Sequence, residues 1–293
     1  MPPLPPHPAA FWERWLPARS TARLVPWRTV RDSPGPVLAD VDRLRAHGSH
    51  PGAGARFVTA WTAGALAEVV GRTLAIADAA LVVSGDTGLL RHPGGWSDGV
   101  VPHAAGPADV RVAATHPWWG APGTAAPGTD VVEDAVTALV QQCRPVVEAI
   151  AGHVRISASG LWQEVADALV GGVLLQPGLR LDEAARARLR AAVDGPGRPW
   201  PRTPEVEVVG EGPEDGPENG LGDVVGRRGG CCLAFTTPTA PFDATRIGDP
   251  LLRDWYARFP LEAPGRQYCS SCSLRTTDDA HTRQRFWLAQ RRT

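Results

Sequence analysis

The fold is decided first by the stretch DVVEDAVTALVQQCRPVVEAI, which covers residues 130–150. Its apolar residues recur at intervals of three and four, the spacing that places them on one face of an α-helix. Asp130 precedes the first of them and belongs to the residue types that cap helix N-termini. The stretch therefore predicts a long amphipathic helix that begins near Asp130 and buries one face against other elements.

Helical spacing continues on both sides of this segment. Downstream, an apolar stripe covers residues 161–173, with Ser159 as its predicted N-cap, and a further helix is expected to open at Asp182 and end near Gly195. Upstream, apolar residues between 55 and 78 repeat at helical spacing and predict one continuous helix. These helices are expected to supply most of the core.

The first half of the chain also carries short strand patterns. Leu81–Ser84 and Gly88–Arg91 are separated by three residues typical of a tight turn, and Val110–Ala113 is a third candidate strand. Together with the helices they predict an α+β fold, dominated by helices, with a small antiparallel sheet and a C-terminal cysteine module.

Changes in composition divide the chain into four parts. Residues 1–50 are predicted to be a proline-rich N-terminal extension, and residues 51–209 a helical and mixed core. Residues 210–223 are rich in Gly, Pro, Glu and Asp and are expected to form a flexible acidic loop. Residues 224–293 hold most of the cysteines and are expected to pack on the core as a C-terminal iron-sulfur module.

Overall composition excludes several classes of function. A formal net charge of -1 and a charged fraction of 21% give no field that would attract nucleic acid. The longest apolar runs are too short to cross a bilayer, and the first ten residues lack the layout of a secretory signal. Five cysteines in 293 residues do not resemble a secreted disulfide framework. We therefore expect a cytoplasmic protein with no membrane span and no nucleic-acid partner.

Four of the cysteines are predicted to form one metal site: Cys231, Cys232, Cys269 and Cys272. Thiolates bind both iron-sulfur clusters and structural zinc, and four of them satisfy either. The adjacent pair favours a 2Fe-2S cluster, because zinc sites usually separate two cysteines by two or more residues. Gly229 and Gly230 are expected to relax the backbone so that both sulfurs converge.

Other interpretations of the cysteines remain open. The adjacent pair could form a redox-active disulfide, and His281 could replace one cysteine as a ligand. Cys143 lies on the apolar stripe of the 130–150 helix, where a cysteine packs as a small hydrophobic residue, so it is left out of the site.

The cysteine motifs carry a resemblance to a known family. Arg227–Leu233, with its Cys-Cys pair, and Tyr268–Arg275, with its Cys-x-x-Cys, resemble the C-terminal signature of the FhuF-like ferric siderophore reductases. Val154–Ser157 leading into Leu161–Leu169 is similar to a helix entry in actinobacterial members. The resemblance implies a 2Fe-2S cluster on the four cysteines. In the family the two pairs stand closer together, whereas a long segment separates them here.

A one-electron cluster suits the reduction that releases iron from a ferric siderophore. Positive charge beside the ligands would attract an anionic ferric complex, so Arg227, Arg228 and Arg275 are the candidate substrate residues. The chain has no glycine-rich phosphate loop, so a ferredoxin or a separate reductase is expected to supply the electron. Two alternatives stay open: a siderophore-related binding protein with a structural zinc on the four cysteines, and an electron carrier without a siderophore site.

Overall fold

The computed structural model describes residues 23–46, 49–74, 79–91, 97–101, 110–112, 130–174, 183–209, 223–231, 233, 250–259, 271–272 and 274–291. The helices in these ranges are α1 Trp27–Asp32, α2 Gly35–Ala46, α3 Pro51–Trp61, α4 Ala63–Leu74, α5 Val131–Val154, α6 Ala158–Leu174, α7 Glu183–Asp194, α8 Pro250–Arg258 and α9 Thr277–Arg291. The strands are β1 Arg23–Pro26, β2 Ala79–Leu81, β3 Gly88–Arg91, β4 Ser97–Val101, β5 Val110–Val112, β6 Glu205–Val209 and β7 Asp223–Arg227. Helices dominate and the strand pairs are antiparallel, which confirms the predicted α+β class.

The helix predicted near Asp130 is confirmed as α5. Asp130 Oδ1 accepts hydrogen bonds from the backbone N–H groups of Val132 at 3.1 Å and Glu133 at 3.0 Å, which satisfies two donors that the helix leaves unpaired. The next helix, α6, begins one residue earlier than its predicted cap: Ser157 Oγ accepts from the N–H of Ser159 at 3.3 Å. Ser159 therefore lies inside α6, and the predicted cap was wrong.

The single helix predicted over residues 55–78 is two helices, α3 and α4, and that prediction was wrong. The chain leaves helical geometry at Thr62, whose φ is -114° and ψ is -83°. The Thr62 hydroxyl donates to the Val58 carbonyl at 2.6 Å, so its side chain occupies an acceptor at the end of α3. Apolar periodicity runs through both helices, and it could not reveal this break.

The predicted strand Gly88–Arg91 is confirmed as β3, whereas the strand predicted at Leu81–Ser84 is β2, Ala79–Leu81, and ends at Leu81. A tight turn does form, because the Thr87 N–H donates to the Ser84 carbonyl at 3.2 Å. The flanking segments nevertheless belong to different sheets: β2 pairs with β5, while β3 lies between β1 and β4. The pairing partners come from distant parts of the chain, which a local turn pattern cannot identify.

The segment 23–46, which the sequence analysis placed in a proline-rich extension, contributes to the core. Trp27, Val37 and Val41 are fully buried within the main apolar cluster. The Trp27 indole N–H donates to the carbonyl of Gln142 at 3.1 Å, which ties α1 to α5. Buried indole groups keep a hydrogen-bond partner in this way.

Helices α4 and α6 cross at glycines. A Cβ built on Gly71 would overlap the Leu169 carbonyl, and one built on Gly172 would overlap the Glu68 carbonyl and lie 3.0 Å from the Arg72 nitrogen. Only hydrogen side chains permit this approach of two helix backbones. The crossing fixes α6 in the core, and α6 in turn supports the cysteine module.

The C-terminal elements lie against α6 and one another. Strands β6 and β7 form a two-stranded antiparallel sheet, and the Gly226 N–H of β7 donates to Gln284 Oε1 of α9 at 2.8 Å. Trp255 of α8 and Phe259, directly after it, pack with Phe286 of α9 in a small separate aromatic cluster. The predicted acidic loop lies outside the described residues over 210–222. Within the described ranges, no helix combines the length and apolar character needed to span a membrane.

Candidate metal centre

The structure describes two of the four predicted ligands, Cys231 and Cys272, while Cys232 and Cys269 lie outside the described residues. The two described segments are brought together by a backbone hydrogen bond: the Arg228 N–H donates to the Ser271 carbonyl at 3.1 Å. This bond joins the loop after β7 to the described end of the Cys-x-x-Cys motif. Segments far apart in the sequence thus meet at the predicted site.

Each described cysteine sulfur accepts a backbone N–H from the residue two positions later. The Leu233 N–H lies 3.4 Å from Cys231 Sγ, and the Leu274 N–H lies 3.5 Å from Cys272 Sγ. Leu233 adopts a left-handed backbone with φ of 59°, which a leucine seldom does without support from its surroundings. Amide hydrogen bonds to sulfur stabilise a thiolate and, in iron-sulfur sites, set the reduction potential.

The described part of the site fits thiolate ligation. Cys272 is 3% exposed and Cys231 is partly exposed, so the two sulfurs lie at the edge of the protein interior. Among the described residues, which lack Cys232 and Cys269, no group of three His, Cys, Asp or Glu side chains is arranged to hold a metal ion. The donor chemistry suits a 2Fe-2S cluster and a structural zinc alike.

The loop that leads to Cys231 is fixed by what we call the polar face of α6: Gln163, Glu164 and Asp167. Arg228 of the loop forms ion pairs with Glu164 and, through Nε, with Asp167 Oδ2 at 3.0 Å. Glu164 also pairs with Arg56 of α3, whose Nη1 lies 3.2 Å from Oε1. Both carboxylates are almost wholly buried, so they require these partners.

The two glycines before Cys231 have a different role from the predicted one. Neither has a positive φ, so neither needs the backbone freedom of glycine. Instead, a Cβ on Gly230 would lie 2.5 Å from Gln163 Cγ, and one on Gly229 would overlap the Gln163 amide. The pair is required because the loop backbone packs directly against α6.

Asp167 is the centre of these contacts. Its Oδ1 accepts from the Gly229 N–H at 2.9 Å and from Gln163 Nε2 at 3.2 Å. Burial raises the pKa of Asp167 to about 6, while the Arg228 charge and the Gly229 hydrogen bond oppose that rise. Near neutral pH the carboxylate is therefore the dominant form, and it is held by one charged and two neutral donors.

The three candidate substrate arginines lie in different environments. Arg228 faces the two α6 carboxylates, and the buried Arg275 donates from Nη1 to Asp279 Oδ2 at 2.5 Å. The half-buried Arg227 donates from Nη1 to the Thr277 hydroxyl at 3.3 Å and pairs with no carboxylate in the described part of the chain. Glu205 is its cross-strand neighbour in the β6–β7 register, so Arg227 is the least engaged of the three arginines rather than an isolated charge.

Two other residues considered at the site are placed away from it or otherwise engaged. His281 Nε2 lies 3.1 Å from Glu207 Oε2 of β6, beside a carboxylate but without the geometry of a hydrogen bond. Cys143 is fully buried in the core, where burial raises the pKa of its thiol far above the usual range. Cys143 is thus the inert core cysteine that the sequence analysis expected.

Sequence reasoning missed the polar face of α6 and Arg56. A signal was present, because Gln163 and Asp167 are separated by one helical turn and lie among apolar residues of a helix predicted to be buried. Polar residues so placed in a buried helix require partners. Which backbone would supply them could not be known without the tertiary structure.

Comparisons of this chain with models of known protein families, with curated proteins and with solved structures find no match. The function must therefore be argued from the chemistry of the site itself.

Proposed function

We propose that the protein is a cytoplasmic iron-sulfur oxidoreductase that gives one electron to a ferric siderophore and releases Fe(II). The proposal rests on the predicted Cys-Cys and Cys-x-x-Cys ligand set and on their resemblance to the FhuF-like reductases. The observation that best supports it is the backbone bond from Arg228 to Ser271, which brings the two cysteine segments together.

The four cysteines would hold the cofactor: Cys231, Cys232, Cys269 and Cys272. When bound, a 2Fe-2S cluster supplies a one-electron carrier whose potential depends on hydrogen bonds to its sulfurs and on solvent exposure. The N–H groups of Leu233 and Leu274 donate to two of these sulfurs and would favour the more negative, reduced state. Partial exposure of Cys231 would leave one side of the centre open to a reaction partner.

The reaction needs one electron for each ferric ion, and Fe(III) accepts it to become Fe(II). Oxygen donors such as hydroxamates hold Fe(II) far more weakly than Fe(III), so release follows reduction. Arg227 is the substrate residue that we favour, because it is the one of the three that forms no ion pair with a carboxylate among the described residues. A ferredoxin or a separate reductase would supply the electron.

The test is to purify the protein without oxygen, measure iron, zinc and acid-labile sulfide, and record the visible spectrum before and after dithionite. We expect a brown protein whose visible bands bleach on reduction and return when a ferric hydroxamate is added. Replacement of Cys272 by Ser should abolish the bands, whereas the matched variant Cys143→Ala should keep them, since Cys143 lies in the core.

Three results would contradict parts of the proposal. A colourless protein that binds zinc, and that fails to form a cluster when supplied with iron and sulfide, would favour the binding protein with a structural zinc. A bleached cluster that ferric hydroxamate does not reoxidise would favour a plain electron carrier. Unchanged reoxidation in Arg227→Gln, across a range of hydroxamate concentrations, would remove Arg227 from the substrate site.

A further inference from the structure

The polar face of α6 contacts the loop before Cys231 at three consecutive residues. The Arg228 side chain forms an ion pair with Asp167, and the Gly229 N–H donates to the same carboxylate. Gly230 packs closely on Gln163. The side chains of Glu164 and Asp167 are 2% and 4% exposed, respectively. A surface loop is thus attached to polar groups that lie within the protein core.

Gln163 is itself held rigidly on the other side. Its Nε2 donates to the Arg202 carbonyl at 3.0 Å, and its Oε1 accepts the Arg202 N–H at 3.2 Å. Both ends of the amide are therefore occupied by one backbone residue of the loop between α7 and β6. Because the amide cannot rotate without losing these bonds, it presents a fixed surface to Gly229 and Gly230.

The polar face also determines where the cysteine segment lies relative to its partner segment. Arg228, which pairs with Asp167, is the same residue whose N–H donates to the Ser271 carbonyl. Only two residues separate it from Cys231. A displacement of this loop from α6 would therefore change the position of Cys231 relative to Cys272.

Buried carboxylates add little net stability to a fold. Taking a carboxylate from water carries a desolvation cost that its partners offset only in part, and apolar residues of similar size often serve as well. Burial raises the pKa of Asp167, which is a sign of that cost. A role in fixing the geometry of the adjacent loop accounts for polar residues at these positions.

We propose that Asp167 and Gln163 are positioning residues of the metal centre, which hold the Cys231 loop on α6 and so set the retention of the bound metal and the potential of the cluster. The inference rests on the proposed function only in taking the four cysteines as metal ligands. The part of the inference that concerns metal retention applies to a bound zinc ion as well as to a cluster.

The first experiment compares Asp167→Ala and Asp167→Asn with wild type. Asparagine can still accept the Gly229 N–H but offers no acceptor to Arg228 Nε, so its effect should be the smaller of the two. We expect metal release to a chelator to become about ten- to a hundredfold faster in Asp167→Ala, as for other residues that orient metal ligands. The midpoint potential and the electron paramagnetic resonance spectrum of the reduced protein should also shift.

The matched control is Val165→Ala, on the same helix but in the apolar core. It should lower the melting temperature without changing metal release, potential or spectrum. This control separates positioning from general destabilisation.

The second experiment tests the close packing. Gly229→Ala places a methyl group against the Gln163 amide, and Gln163→Ala removes that amide with its bonds to Arg202, so each variant should speed metal release. Because both changes act at one contact, the double variant should release metal more slowly than the product of the two single effects predicts, and wild-type release in Gln163→Ala would remove Gln163 from the proposal.

The proposal is overturned if folded Asp167→Ala and Asp167→Asn proteins release metal at the wild-type rate. It is also overturned if Val165→Ala speeds release as much as they do at an equal loss of melting temperature. If Asp167→Ala does not fold, the metal release rates of Asp167→Asn, of Gly229→Ala and of its double variant with Gln163→Ala test the proposal instead. Failure of the proposed function would appear separately, as zinc in place of iron and sulfide.

Discussion

The helical core and the C-terminal module are held together by different forces. In the core, the backbones of α4 and α6 meet at Gly71 and Gly172, and buried apolar side chains such as Leu66 and Leu169 pack in the same cluster. In the module, three aromatic residues form the separate apolar cluster, and the contacts to α6 include the polar ones from Arg228 and Gly229. The core can therefore fold by burial, whereas the module depends on hydrogen bonds, ion pairs and, as we propose, a metal.

Gly172→Ala should have the largest effect on the core, because it tests the close crossing of α4 and α6. The added methyl group would overlap the Glu68 carbonyl, a backbone atom that cannot move away, and should lower the free energy of unfolding by about 3 kcal/mol. The matched control is Gly171→Ala, which meets nothing within 4 Å and should raise the free energy of unfolding by about 0.5–1 kcal/mol. Urea denaturation followed by circular dichroism measures both, and equal effects at the two sites would refute the close crossing.

Removal of the metal should lower the hydrogen-exchange protection of the C-terminal module and leave that of the core unchanged. After a chelator has removed the metal, we expect amides of β7 and α9 to exchange hydrogen at least about tenfold faster, because metal-linked order is lost there. Amides of α5, which packs in the main apolar cluster, should keep their protection. Hydrogen exchange with mass spectrometry gives both values in one sample, and uniform loss across the chain would show one cooperative unit instead.

The smallest expected signal concerns Cys143. Burial raises the pKa of its thiol, so the reactive thiolate stays scarce even at pH 9, where an ordinary thiol is largely ionised. In folded, metal-free protein at pH 9 we expect iodoacetamide to modify Cys231 and to leave Cys143 unmodified. Peptide mass spectrometry detects this, with urea-unfolded protein as the positive control. Labelling of Cys143 in the folded protein would mean that the core opens.

Local patterns predicted the helices better than the pairing of strands. Asp130 as the N-cap of α5 and the burial of Cys143 follow from residue type and helical spacing, and both were correct. The break at Thr62 and the pairing of β2 with β5 were not predicted, because each depends on contacts that periodicity does not encode. The four-cysteine site stays a prediction, since the structure describes only Cys231 and Cys272 of it.

The sequence by itself determined the helix-dominated class, the inert position of Cys143 and the candidate ligands, because helical spacing and thiolate chemistry are properties of residue type and order. Only the tertiary structure decided that Gly229 and Gly230 serve close packing on Gln163, that Arg228 is paired internally, and that the two described cysteine segments meet. The reason is physical: these contacts join residues far apart in the chain, and their energies depend on distances that no local pattern specifies.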